Sequence, residues 1–137
     1  MKNLDHALEV ASRARLNAHC PYSGFQVGAA VKPHQHDTVY AGCNVENASY
    51  GATICAERAA VLGMVSDIGR QTIEFVLVVT DATPLAVPCA ECLQVLAEFC
   101  TPETMVYLAD PEAIRHSYRF GELLPYPFSD VPPQNDA

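Results

Sequence analysis

Residues 73–80 read Ile-Glu-Phe-Val-Leu-Val-Val-Thr, a run in which only Glu74 and the final threonine are polar. Such a run is typical of a central strand covered on both faces, because a strand with one face in water alternates apolar and polar residues. Helical patterns flank it over about 55–64, with Thr53 as a candidate N-cap, and over 89–99. The order helix, strand, helix predicts an α/β domain in which helices pack on this strand.

The remaining elements extend this arrangement along the chain. The patterns predict an amphipathic helix over 4–16, strands over 25–31 and 39–45, and a further strand over 105–108. The polar segment 32–38 predicts a hairpin turn, and the proline-rich segment 122–137 is expected to be irregular. Together these elements predict one domain, residues 1–137, built as a three-layer α/β/α sandwich on a mixed sheet.

The composition bears on the class of partner. The chain has 137 residues, 50% of them apolar, and a formal net charge of −8. Its eight Lys and Arg residues are scattered, whereas a phosphate-binding surface needs them clustered, so a small molecule is favoured over long nucleic acid. The sequence contains neither an apolar run long enough to cross a bilayer nor a signal-peptide core at its N-terminus. We therefore expect a cytoplasmic protein without a membrane partner.

Three cysteines form the predicted metal site. Cys89 and Cys92 are three residues apart, so on the first turn of a helix their side chains face the same way. Cys55 opens the other helix, and both helix N-termini offer a positive dipole end that stabilises thiolates. Three thiolate ligands suit Zn²⁺ and leave a fourth position for water, as in a catalytic site.

A carboxylate lies two residues from the first of these cysteines. Glu57 is not needed as a ligand, and it can take a proton from a zinc-activated water and return it to a substrate. The cysteine pair alone could instead be a redox pair or half of a structural zinc site. A structural site needs a fourth ligand, for which the candidates are His34, His36 and Cys43. The joint spacing of the ligands and Glu57 favours the catalytic site.

The chain resembles the small homotetrameric cytidine deaminases. The likeness rests on both cysteine motifs and on four other stretches, namely Pro-Tyr-Ser-Gly-Phe-Gln-Val-Gly-Ala-Ala at 21–30, Gly-Cys-Asn-Val-Glu-Asn-Ala at 42–48, Gln-Val-Leu-Ala-Glu-Phe at 94–99 and Glu-Leu-Leu-Pro-Tyr-Pro-Phe at 122–128. It implies a five-stranded mixed sheet, a homotetramer, and zinc-dependent hydrolysis of cytidine and deoxycytidine to uridine and deoxyuridine in pyrimidine salvage.

The resemblance also implies roles for individual residues. Cys55, Cys89 and Cys92 would bind Zn²⁺, Glu57 would shuttle protons, and Arg58 would stabilise the thiolates. The implied substrate contacts are the Ala56 N–H with the pyrimidine O2, Phe25 with the base, Asn44 and Glu46 with the ribose hydroxyls, and Phe128 with the active site of a neighbouring subunit. From the residues alone, Phe25 could instead belong to the core, and the two polar residues could form a solvated face.

The chain departs from the family pattern at two positions. Ala90 and Leu93 stand where the family usually has Gly and Arg. Three thiolates and one Zn²⁺ sum to −1, and relatives with three cysteine ligands offset this charge with two arginines. Arg58 keeps one of these positions, and Leu93 cannot supply the other. We expect either a slower enzyme with an alkaline pH optimum, or another donor and an altered substrate.

Two further functions stay open from the sequence. One is a deaminase of a modified cytosine nucleoside, such as an N4-substituted or blasticidin S-like compound. The other is a zinc-stabilised binding protein without turnover, which would need a closed fourth coordination position. Editing of polynucleotides is disfavoured by the acidic net charge.

Overall fold

A computed structural model describes residues 2–129. The strands are β1 (Gly28–Pro33), β2 (Tyr40–Cys43), β3 (Ile73–Val79), β4 (Met105–Ala109) and β5 (Ile114–Arg119). The helices are α1 (Lys2–Arg15), α2 (Ala56–Ile68), α3 (Ala90–Leu96) and α4 (Phe120–Leu123), with a short 3-10 turn at Tyr50–Ala52.

One mixed sheet of five strands, in the order β2-β1-β3-β4-β5, organises the fold. Strands β3 and β4 are parallel, and the other neighbouring pairs are antiparallel. In β3 every residue except Glu74 is buried, as its apolar run predicts. Ala7 and Ala11 of α1 pack with Leu77 on one face of the sheet, and α2 and α3 cover the other face. The predicted three-layer α/β/α architecture is confirmed.

Two segments differ from their prediction. Strand β1 continues through Lys32 and Pro33, so the predicted turn at 32–38 is wrong for its first two residues. The buried Lys32 ammonium donates to the Pro33 carbonyl at 2.8 Å and lies 3.5 Å from the Glu74 carboxylate, which compensates its charge. Strand β5 has no buried residue and therefore no strong apolar pattern, so only the family resemblance implied a fifth strand.

The last two residues of helix α4, Glu122 and Leu123, fall in the segment 122–137 expected to be irregular. Residues 130–137 of that segment lie outside the described residues. The Glu122 carboxylate accepts hydrogen bonds from the backbone N–H and the side chain of Arg119, which supports this single turn. Arg119 and Glu122 are three residues apart, which is a local signal for a helix start. The prolines that follow led to the prediction of an irregular segment instead.

Two glycines set how closely the helices approach the sheet. A Cβ atom on Gly28 would lie 2.0 Å from the Ala11 carbonyl oxygen of α1, and one on Gly42 would lie 2.5 Å from the Ala60 nitrogen of α2. Both contacts are with backbone atoms, which cannot rotate away. Glycine at position 42 therefore fixes how α2, whose N-terminus carries Cys55, rests on β2.

Candidate active site

The N-termini of α2 and α3 bring the predicted metal ligands together. Cys55 is the N-cap residue of α2 and Cys89 that of α3, both with extended backbone conformations. Thr53 is not the N-cap, contrary to the prediction from sequence. Cys92 lies in the first turn of α3 and is fully buried. The free N–H groups of two helices thus surround one small volume, which favours thiolates there.

The three sulfur atoms have the spacing of a zinc site. All three Sγ atoms lie within 4.8 Å of one another, and those of Cys55 and Cys89 are 3.9 Å apart. Tetrahedral Zn–S bonds of about 2.3 Å would separate two sulfurs by about 3.8 Å. His34, His36 and Cys43 do not join this group, which is the one such cluster among residues 2–129. The cysteines therefore fit Zn²⁺ with one coordination position left for a non-protein ligand.

Glu57 points into the same region as a buried acid. Its side chain is only 5% exposed, because the first turn of α2 packs against the sheet. This burial raises the pKa of the Glu57 carboxyl to about 7, and the negative charge of Cys55 adds to the effect. Such a group can both accept and release a proton near neutral pH.

One cavity of about 270 Å³ opens onto Cys55, Cys89 and Glu57. Its wall also includes the substrate-contact residues that the resemblance implied on this chain, namely Phe25, Asn44, Glu46 and Ala56. The rest of the wall is mainly apolar, from Val27, Val78, Ala86 and Val87. Apolar walls with a few convergent polar groups are typical of sites for small planar ligands.

A family model described as the cytidine and deoxycytidylate deaminase zinc-binding region matches residues 1–109. The chain belongs to this family. The cytidine deaminase of Halalkalibacterium halodurans is 42% identical to it over 122 residues, which cover 89% of this chain and 91% of that protein. The cytidine deaminase of Sporosarcina psychrophila is 39% identical over 127 residues, covering 93% and 92% of the two chains.

Solved structures of family members share the fold. The crystal structure of cytidine deaminase from Burkholderia pseudomallei gives a TM-score of 0.81 at 37% identity and covers 90% of this chain and 98% of that one. The crystal structure of cytidine deaminase from Mycobacterium tuberculosis gives a TM-score of 0.75 at 36% identity. It covers 92% of this chain and 97% of that one. Membership of this family and the spacing of the three sulfur atoms both indicate Zn²⁺ as the cofactor. The prediction of a zinc-dependent hydrolytic deaminase is confirmed.

The departure from the family pattern at Leu93 has a structural counterpart. Leu93 is buried in the core cluster beneath α2 and α3, so this position serves packing. Arg58 donates from Nη2 to the Cys55 Sγ at 3.4 Å, and the same nitrogen lies 3.4 Å from the exposed Glu91 carboxylate. A hydrogen bond with Cys92, followed by the bond from Arg58, lowers the pKa of the Cys55 thiol to about 5. One guanidinium is thus shared between a thiolate and a carboxylate.

The Asn44 side chain braces the cavity wall, because it hydrogen-bonds two backbone groups of the segment 25–27. The sequence did not predict this role. Its Oδ1 accepts from the Val27 N–H at 2.9 Å, and its Nδ2 donates to the Phe25 carbonyl at 2.7 Å. Asn44 is buried, so it is not part of a solvated face. Phe25 is 40% exposed and borders the cavity, so it is not a core residue.

Glu46 braces the neighbouring part of the same loop. Its carboxylate accepts from the backbone N–H groups of Tyr22 and Ser23, both at 3.1 Å, and from the Ser23 hydroxyl. The hydroxyl bond lowers the pKa of the Glu46 carboxyl. The rings of Tyr22 and Tyr50 pack edge to face with their centroids 5.1 Å apart. Both residues line a second cavity of about 250 Å³, and Glu46 lines this cavity as well as the first.

Phe128 does not reach the cavity of its own chain. Its carbonyl accepts a hydrogen bond from Gln94 Nε2 at 2.6 Å, which ties the segment after α4 to α3. The Phe128 side chain is 66% exposed.

No helix within residues 2–129 combines the length and the apolar character that crossing a membrane requires.

Proposed function

We propose that this chain hydrolyses cytidine and deoxycytidine to uridine and deoxyuridine, with release of ammonia. The observation that carries the proposal is the convergence of a three-cysteine zinc site and the buried carboxyl group of Glu57 on one cavity. A cavity bounded by an aromatic face and polar side chains suits a planar base joined to a sugar.

The chemistry divides between the metal and the protein. Cys55, Cys89 and Cys92 would hold Zn²⁺, which would supply the Lewis acidity that makes a water molecule reactive toward C4 of the pyrimidine. Glu57 accepts the proton that this water loses and delivers a proton to N3 of the ring. It then takes the proton from the hydroxyl group added at C4 and passes it to the amino nitrogen, so that the C4 carbonyl forms and ammonia leaves. Water and cytidine are consumed, and uridine and ammonia are formed, so the protons balance.

Residues around the cavity provide the recognition. The exposed face of Phe25 packs on the base. The N–H of Ala56, in the first turn of α2, is free of an intrahelical partner and binds O2 of the ring. Beyond their bonds within the loop, Asn44 keeps a second Nδ2 hydrogen and Glu46 keeps carboxylate lone pairs, which provide a donor and an acceptor for the sugar hydroxyls.

The charge of the cavity favours a nucleoside over a 5′-nucleotide. Neither Lys, Arg nor His is among the described residues that line the first or the second cavity, whereas Glu46 lines both. A 5′-phosphate near the sugar subsite would meet a carboxylate without a compensating cation, which costs binding energy. This argument separates cytidine from deoxycytidylate, both of which the family description covers.

An absorbance assay with a panel of substrates tests the proposal. The panel contains cytidine, deoxycytidine, deoxycytidine 5′-monophosphate and N4-methylcytidine, each with and without a zinc chelator. We expect turnover of the first two only, and loss of turnover when the chelator removes the metal. Exclusive turnover of N4-methylcytidine would favour the modified-nucleoside deaminase. Stoichiometric zinc without any turnover would favour the binding protein.

We also propose that the protein is a homotetramer in which Phe128 contacts the active site of a neighbouring subunit. Its exposed ring and the bond from Gln94 to its carbonyl support this role. Light scattering after size-exclusion chromatography tests the assembly. A monomer with full activity would contradict it. The cytoplasmic location and the place in pyrimidine salvage stay predictions.

A further inference from the structure

Thr80, directly after β3, carries a hydroxyl without a hydrogen-bond partner among residues 2–129. The residue is only 1% exposed. Its backbone N–H donates to the Ala109 carbonyl at 3.0 Å, so the main chain is held in place. A buried polar group left unpaired costs about 1–3 kcal/mol. The Thr80 hydroxyl therefore needs a partner that the described polypeptide does not supply.

The active-site cavity is the space next to this side chain. Thr80 and Val78 both line it, as does Glu57. Residues two apart on a strand point to the same face, and Val78 belongs to the core cluster on the face covered by α2 and α3. Thr80 thus lies on the side of the sheet that carries the zinc ligands and the proposed proton shuttle.

Glu57 is a second polar group of this cavity whose orientation lacks support from another side chain within residues 2–129. Within the described part of the chain, no side-chain hydrogen bond contributes to the pKa of its carboxyl group, and the one backbone contribution comes from its own N–H. Residues that transfer protons are normally held by a further shell of hydrogen bonds, because small errors in their direction slow the reaction. A group placed between Glu57 and Thr80 would satisfy both side chains.

We propose that the Thr80 hydroxyl and the Glu57 carboxylate together hold one water molecule on the sheet side of the cavity, which makes Thr80 a positioning residue for the deamination. A hydroxyl both donates and accepts, and a buried water makes about three hydrogen bonds. The bound water satisfies Thr80 and fixes the direction of the Glu57 carboxylate. The kinetic consequence rests on the proposed function, whereas the water itself does not.

Two substitutions separate the hydroxyl from the shape of the side chain. Thr80→Val keeps the volume and removes the hydroxyl, and Thr80→Ser keeps the hydroxyl and removes the methyl group. With cytidine and the zinc-loaded enzyme, we expect Thr80→Val to lower kcat about tenfold with little change in KM. We expect Thr80→Ser to keep a kcat close to that of the parent. Parental kcat in Thr80→Val, or equal losses in both variants, would overturn the proposal.

Thr104→Val is the matched control for the loss of a buried threonine hydroxyl. Thr104 is buried outside the cavity, and its Oγ1 accepts from the Thr101 backbone N–H at 2.9 Å. We expect this variant to lose stability and to keep its kcat. A tenfold lower kcat in Thr104→Val would mean that any buried hydroxyl loss slows the enzyme, which would overturn the specific role of Thr80.

A crystal structure of the zinc-loaded parent decides the question even if the variants fail to fold. We expect a water within about 3 Å of both the Thr80 Oγ1 and the Glu57 carboxylate. A map that resolves other buried waters but none at this position would overturn the proposal. A parent that deaminates none of the nucleosides would contradict the proposed function alone, because the water would still report on Thr80.

Discussion

Arg58 donates a hydrogen bond to the Sγ of Cys55 at 3.4 Å, three residues before it at the start of α2. The same Nη2 atom donates to the Thr53 carbonyl at 3.0 Å, which fixes the guanidinium beside the sulfur. Because three thiolates bring more negative charge than Zn²⁺ can neutralise, we propose that this contact offsets charge at the metal. The resemblance implied this role for Arg58, and it stays a prediction that the next experiment tests.

Removing this guanidinium should weaken metal binding. We expect Arg58→Ala to lower the affinity for Zn²⁺ about tenfold or more, since outer-shell partners typically contribute this much. Competition with a chromogenic chelator measures the change. Arg13→Ala is the control, because Arg13 forms an exposed pair with Glu9 on α1. Equal zinc affinities in the two variants would show that Arg58 does not act on the metal site.

Leu93→Arg tests whether the uncompensated negative charge of the three thiolates slows the enzyme. Restoring a second guanidinium should raise kcat at neutral pH and move the optimum of the rate toward lower pH. Leu93 is packed in the core, so we also expect the larger arginine side chain to reduce the stability by about 1–3 kcal/mol. Rate profiles against pH and urea unfolding measure the two effects separately. An unchanged rate profile in a folded variant would refute the charge argument.

If Glu57 transfers the protons, Glu57→Gln should lose most of its turnover. The amide keeps the shape of the buried side chain and cannot transfer the proton, so we expect kcat to fall about 10²–10⁴-fold. Zinc content and melting temperature should stay close to those of the parent, because Glu57 is not needed as a ligand. Steady-state kinetics and metal analysis check both parts. Nearly parental turnover in the zinc-loaded variant would remove Glu57 from the mechanism.

Asn44→Asp tests the brace on the cavity wall. The substitution replaces the Nδ2 donor with an oxygen that faces the Phe25 carbonyl, so attraction becomes repulsion. We expect KM for cytidine to rise about tenfold, since a lost charged or polar contact of this kind costs about 1–3 kcal/mol. Asn47→Asp makes the same change at an exposed residue whose Oδ1 accepts from Ser49. A similar KM in both variants would argue against the brace.

Gly42→Ala tests how α2 is placed on the sheet. A Cβ atom would lie 2.5 Å from the Ala60 nitrogen, so α2 and its metal ligand must shift. We expect a destabilisation of about 1–3 kcal/mol together with weaker zinc binding. Gly63→Ala is the control within α2, because its Cβ meets nothing within 4 Å and alanine favours the helix. Urea unfolding with and without zinc compares them, and a stable Gly42→Ala would contradict the close contact.

Much of the fold could be read from local patterns. The apolar run of β3 and the helical periodicity on either side of it depend on neighbours in sequence, so the sequence predicted the central strand and its two helices. Strand β5 carries no comparable pattern, because it lies at an exposed edge where water replaces a packing partner. The burial of Lys32 was equally hidden, since a charged residue is buried only when tertiary neighbours compensate it.

The sequence by itself determined the chemistry of this protein, and the tertiary structure decided how that chemistry is held. Cys55 with Glu57, and Cys89 with Cys92, form two short motifs that predict a zinc deaminase, because ligand identity and helical spacing are local properties. The distance between Cys55 and Cys89 is set by how α2 and α3 rest on the sheet. Packing across the sheet also decided that Asn44 braces a loop and that Thr80 faces the cavity, since such contacts join residues far apart in the chain.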